Sequence, residues 1–159
     1  MSTKRKTVFI ILLILTAATL SFIFVNSCLP GEISTEESNS VYSGILKPLL
    51  APLEGIFGEF LDEYNARKIA HVLEYFLLAV EFNLLAVTLK KYDIKRVGII
   101  LLFGVLVALF DETLQIFSGR GPMIEDVWID FIGVFLATAI IYLIVLIIRA
   151  IKNKKNKKA

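Results

Sequence analysis

The sequence predicts an all-α membrane protein, a four-helix transmembrane bundle with a short amphipathic outer helix. Three observations carry that reading. The chain is 57% hydrophobic over 159 residues, more than a water-facing surface of this size tolerates, because a soluble domain needs polar cover. The apolar residues gather into four runs, each near the roughly 20 residues that a helix needs to cross a ~30 Å hydrocarbon core. The Lys and Arg residues cluster before the first run, between the second and third, and after the fourth, which is the pattern expected of cytoplasmic segments.

The runs are Thr7 to Val25, Ile69 to Leu89, Val97 to Phe117 and Val127 to Ile148. The first and fourth are almost uninterrupted, whereas the second and third carry ionisable residues. Lys4, Arg5 and Lys6 precede the first run, and Lys90, Lys91, Lys95 and Arg96 join the second to the third. Arg149, Lys152, Lys154, Lys155, Lys157 and Lys158 follow the fourth. The positive-inside rule then puts both termini and the 90–96 loop on the cytoplasmic side of the membrane. Residues 26–68 and 118–126 fall outside. The expected organisation is a transmembrane helix over 1–25, an extracytoplasmic segment over 26–66, a three-helix core over 67–148 and a basic tail over 149–159.

The first run also has the look of a signal peptide, and Val25-Asn26-Ser27-Cys28 weakly resembles a lipoprotein cleavage site. Asn fits that position poorly, so the expectation is an uncut first helix. In the outer segment, residues 32–40 are rich in Ser, Thr and Glu and read as flexible. After Pro52, residues Leu53, Ile56, Phe57, Phe60 and Leu61 recur at helical spacing, with Glu54, Glu59, Asp62 and Glu63 largely between them. That is an amphipathic helix, expected on the membrane surface or over the bundle as a lid. The basic tail reads as a topology anchor that touches anionic lipid, not as a nucleic-acid contact.

One cysteine, Cys28, and one histidine, His71, exclude an intrachain disulfide, a cysteine metal cluster and any site needing two His from one chain. No metal-ligand motif is assigned, and no cofactor is named. Charged side chains inside a span are costly and mark function by default. His71, Glu74 and Tyr75 open the second run, and Asp111, Glu112 and Gln115 lie near the end of the third. Arg120 is in the short outer loop, and Asp126 and Asp130 begin the fourth. At 1.5 Å per residue, most of these lie within about 10 Å of the outer boundary. Asp111 and Gln115 share a helix face, as do His71 and Tyr75, and as do Asp126, Asp130 and Gly133. Gly119 and Gly121 permit a tight turn that would fold the Arg120 guanidinium over the carboxylates, and Gly133 would permit close helix approach.

Five acids (Glu74, Glu81, Asp111, Glu112 and Asp130) lie within the spans, against Lys68, Arg120 and His71 nearby. Either some stay protonated or a cation binds. Glu81 stands apart near mid-membrane beside Asn83, as a proton-relay step or a buried packing pair. The bland alternative for the whole cluster is a polar network that joins helices.

The same residues resemble the VanZ-like family of bacterial membrane proteins. The resemblance rests on Arg67-Lys68-Ile69-Ala70-His71 with Tyr75, and on Asp111-Glu112-Thr113-Leu114-Gln115 followed by Gly119-Arg120, Asp126, Asp130 and Gly133. Asp130 departs from the Asn usual in that family, and Ala137 from a common second Gly. The resemblance implies glycopeptide tolerance, particularly to teicoplanin. Three functional classes stay open: a non-enzymatic envelope protein engaging a cell-wall lipid precursor or the glycopeptide through Arg120 and the carboxylates; an intramembrane acid/base enzyme, with a divalent metal held by carboxylates; and a small proton-coupled transporter through Glu81. The lack of a GxSxG motif or of a reactive cysteine in the cluster leans against the enzyme. Homo-oligomerisation stays open.

Overall fold

A computed structural model describes residues 1–30, 40, 43–44, 47–50, 63–121 and 123–156. The amphipathic outer helix expected over residues 53–62 and most of the flexible stretch expected over 32–40 lie outside the described residues. Four long helices form the bundle: α1 (Thr3–Cys28), α2 (Glu63–Thr88), α3 (Ile94–Phe117) and α4 (Ile124–Asn156). A single turn, Lys47–Leu50, lies between α1 and α2, and no strand occurs among the described residues. All four helices are long and apolar enough to span a membrane. The chain is thus a multi-pass all-α membrane protein.

Each helix outruns its apolar stretch at one or both ends. Intrahelical hydrogen bonding does not stop where the lipid stops, so α4 continues through the basic residues to Asn156. Cations in that last turn, Lys154 and Lys155, complement the partial negative charge of a helix C-terminus. At the other end of α4, Glu125 and Asp126 occupy the first turn, where the dipole favours acids. Asp93 caps α3 by accepting a hydrogen bond from the Arg96 backbone N–H at 2.9 Å.

The loops are tight. After α2, the Lys91 N–H reaches the Ala86 carbonyl and the Lys90 N–H the Val87 carbonyl, with Lys90 in the left-handed region at φ 55°. After α3, the Arg120 N–H reaches the Gln115 carbonyl at 3.1 Å and the Gly119 N–H the Ile116 carbonyl at 3.3 Å. Gly119 takes φ 75°. Both are Schellman endings, and the second needs a left-handed residue that glycine supplies without strain.

The helices alternate in direction, with α2 and α4 packed most extensively. Gly133 explains why. A Cβ there would collide with the backbone carbonyl of Val72 and lie 3.0 Å from the Phe76 nitrogen, so α4 presses on the α2 main chain itself. Gly104 on α3 admits Val134 in the same way, a Cβ meeting Val134 Cγ1 at 2.6 Å. The core below this crossing is Ile23, Tyr75, Leu78, Ala79, Val107, Ala108, Val134 and Ala137. Large apolar side chains such as Ile14, Leu77, Leu102, Phe110, Phe135 and Leu143 face outward on all four helices, as lipid contact requires.

Polar ties close the end bearing the basic residues. Arg5 donates to the Thr88 carbonyl at the C-terminus of α2, and Arg149 to the Tyr92 carbonyl. The Tyr92 hydroxyl donates to Asn83 Oδ1, while Asn83 Nδ2 donates to Thr138 Oγ1 at 3.0 Å and to the Ala79 carbonyl at 2.7 Å. Asn83 therefore joins α2 to α4. Glu81 faces α1 instead, accepting from Thr19 Oγ1 at 2.9 Å, and its Oε2 has no hydrogen-bond partner.

Candidate functional site

At the opposite end, the bundle gathers the polar residues of α2, α3 and α4. Helical periodicity does the first part of the work. His71, Glu74 and Tyr75 are spaced i, i+3, i+4, and so are Asp111 and Gln115 at i, i+4 with Glu112 beside them, which puts each set on one face. Asp130 lies one turn before Gly133, the point where α4 touches the α2 backbone. That contact draws Asp130 to His71: His71 Nδ1 and Asp130 Oδ1 lie 3.2 Å apart. Asp130 and Tyr75 are fully buried at 0% exposure, Asp111 at 1%.

The cluster has a satisfied half and an open half. In the satisfied half, Ser27 Oγ of α1 donates to Asp111 Oδ1. Gln115 Nε2 donates to Glu112 Oε1 at 2.7 Å, with a longer 3.4 Å approach to Asp111 Oδ2. Glu112 Oε2 accepts the Met123 backbone N–H at 3.0 Å, so this carboxylate ties the α3–α4 loop to the bundle. The open half is His71, Tyr75 and Asp130. His71 Nδ1, the Tyr75 hydroxyl and both Asp130 oxygens are buried without a hydrogen-bond partner. The His71–Asp130 pair is close enough for an ion pair. A buried polar group without a partner costs on the order of 1–3 kcal/mol, and a charged one more. His71, Tyr75 and Asp130 share this condition.

The remaining residues singled out from the sequence surround this centre. Glu74 is half-buried one turn along α2 from His71. Asp126 is half-buried one turn before Asp130, and its neighbour Glu125 lies 4.0 Å from Lys68 Nζ. Arg120 was expected over the carboxylates. Its Nη2 donates to the Asn26 carbonyl at 2.7 Å and its Nε to Ser118 Oγ at 3.4 Å. Those bonds place the guanidinium on the C-terminus of α1, where free carbonyls and the helix dipole favour a cation. Ser118 reinforces the junction by donating to the Ser27 carbonyl at 2.9 Å.

Two contributors were not legible as site residues: Ser27, which holds Asp111, and the Asn26 carbonyl, which holds Arg120. They end an otherwise apolar run, and their spacing carries no sign that they reach a carboxylate 84 positions away. The only available signal was that a Ser at the end of an apolar span, at the depth of the other polar groups, had a partner to find.

One imidazole nitrogen and one oxygen from each of Asp111 and Asp130 lie within 4.8 Å of one another. The arrangement can therefore hold a proton between carboxylates, orient a polar ligand, or bind a cation. No curated protein and no solved structure matches the chain. The model of the VanZ/LLP1 family matches residues 9–147, from within α1 to within α4 and across every residue of the cluster, and the chain belongs to that family.

Proposed function

We propose that this protein acts at the outer leaflet of a bacterial cytoplasmic membrane, with both termini cytoplasmic, and there engages an envelope ligand through the polar cluster. The ligand is a lipid-linked cell-wall precursor or a glycopeptide such as teicoplanin, and the result is glycopeptide tolerance. One observation carries the reading. The fully buried Tyr75 hydroxyl and both Asp130 oxygens lack a hydrogen-bond partner, Asp130 having only the His71 imidazole at 3.2 Å, and they lie at the bundle end away from the clustered Lys and Arg. A network whose only role was to join helices would satisfy its own members, as the Asn83, Thr138 and Tyr92 network between α2 and α4 does, whereas this cluster leaves four buried polar atoms without a hydrogen bond. Positive-inside orientation then turns the cluster toward the outer face.

The residues divide the work. Asp111, Asp130 and His71 form the recognition centre, with Tyr75 beside them. Glu112 and Gln115 set the position of Asp111 and of the loop. Arg120, half-buried at the mouth, fixes α1 and brings a planar cation suited to phosphate or carboxylate. Teicoplanin susceptibility of cells expressing wild type, Asp111→Asn or Arg120→Ala at equal abundance tests this. Both variants are expected to lose protection. Protection equal to wild type in both would refute the assignment of the site.

A further inference from the structure

The geometry points to a divalent-cation site formed by His71, Asp111 and Asp130, one ligand from each of α2, α3 and α4. This inference rests on the cluster being the working site proposed above, and it specifies what that site holds.

Two independent observations converge on it. The first is distance: the three ligand atoms lie within 4.8 Å of one another. Ligand atoms around a tetrahedral first-row divalent ion at about 2.0–2.2 Å lie about 3.3–3.6 Å apart, so the three groups draw together by about 1 Å when the ion binds. The second is the state of the donors. Asp130 is 0% exposed with both oxygens lacking a hydrogen-bond partner, and His71 Nδ1 lacks one too. A deeply buried carboxylate whose one close partner is a single imidazole is an expensive arrangement, and a dication lowers that cost directly.

The other charges reinforce the point. Glu74, Glu112 and Asp126 also lie around the cluster. His71 is the one basic group within the ligand set. Outer contacts that orient metal ligands are present as well: Ser27 Oγ holds one oxygen of Asp111, leaving the other, with only a 3.4 Å approach from Gln115, to turn inward. The Tyr75 hydroxyl, one turn of α2 from His71, is a further buried oxygen without a hydrogen-bond partner.

The donor set names the class of ion. One imidazole with two carboxylates suits Zn²⁺ or Mn²⁺, whereas Mg²⁺ and Ca²⁺ favour all-oxygen surroundings. Three protein ligands also leave coordination positions open, through which an oxyanion of the envelope ligand is accepted by an otherwise acidic site.

The test uses the full chain purified in detergent, stripped with chelator, loaded separately with Zn²⁺, Mn²⁺, Mg²⁺ or Ca²⁺, and desalted before elemental analysis. Zn²⁺ or Mn²⁺ is expected at one ion per chain, falling at least tenfold in Asp130→Asn and in His71→Gln. Glu81→Gln, outside the cluster, is expected to load like wild type. Circular dichroism and a monodisperse gel-filtration peak establish that each variant is folded. A folded wild type that retains neither ion, variants that load like wild type, or preferential uptake of Mg²⁺ or Ca²⁺ would each overturn the assignment. The two readings fail separately. Loss of drug protection in Asp111→Asn with no metal in wild type removes the cation and keeps the ligand site. Stoichiometric metal with unchanged protection does the reverse.

Discussion

Replacing Gly133 by alanine adds one methyl group, in a helix where alanine is intrinsically better by about 1 kcal/mol. On propensity alone the variant would be more stable. The packing says otherwise. The new Cβ would overlap the Val72 carbonyl oxygen and lie 3.0 Å from the Phe76 nitrogen and 3.1 Å from the Val72 carbonyl carbon. These are main-chain atoms of α2, which no rotamer change moves aside. The two helices must separate, and forced overpacking of this kind costs about 1–3 kcal/mol at ordinary core positions. With a rigid opponent the upper part of that range applies, so the net loss is about 1–2 kcal/mol after the gain in propensity. In a thermal melt of purified protein in detergent this corresponds to a fall of about 2–8 °C. The same separation pulls Asp130, three residues before Gly133, away from His71 at 3.2 Å, so activity at the site should fall further than stability does. Gly98→Ala is the matched control. A Cβ there meets nothing within 4 Å, and the variant is expected to melt at or above wild type. A Gly133→Ala protein that melts with or above Gly98→Ala would refute the claim that backbone contact sets the α2–α4 spacing.

Two further outcomes follow from the loop and from the end of α1. Tyr92 is 3% exposed in the loop outside the spans, and burial pushes its phenol above the ordinary tyrosine value of about 10. The neutral hydroxyl is the donor to Asn83, so above about pH 10 the unfolded chain releases this proton before the folded one. Stability falls as pH rises through that region, and no contribution is expected below it; melts from pH 8 to 11 should show a steeper alkaline loss in wild type than in Tyr92→Phe. Cys28, the lone cysteine, is exposed at the end of α1 beside the site. In the proposed orientation a membrane-impermeant maleimide labels it in intact cells or spheroplasts, whereas Lys91→Cys in a Cys28→Ser background reacts only after permeabilisation; the opposite pattern inverts the topology.

Much of the architecture was readable in advance, for reasons particular residues show. The stretch from Val127 to Ile148 has no choice but to be a span, because lipid offers its backbone no partner other than itself. The polar spacings also told which residues share a face, as His71 with Tyr75 and Asp111 with Gln115. Faces are not partners, however. Asp130 could have been read against Arg120 as easily as against His71, and Asn83 against Glu81 rather than Thr138. The Asn26 contact of Arg120 was likewise not visible from its flanking glycines. The Schellman turn at Gly119 sends it to the Asn26 carbonyl, and only with α1 in place is that carbonyl there to receive it.

Composition and charge placement thus decide how many spanning helices there are and roughly which residues they carry across, because a bilayer imposes length and backbone satisfaction on each segment separately. Helix-to-helix packing decides the rest. The contact at Gly133, the reach of Ser27 to Asp111 and the unpartnered oxygens of Asp130 arise from helices that are distant in sequence pressing together. Whether a buried polar group finds a donor, or is left open for a ligand, is a property of that three-dimensional contact and has no counterpart in the linear spacing.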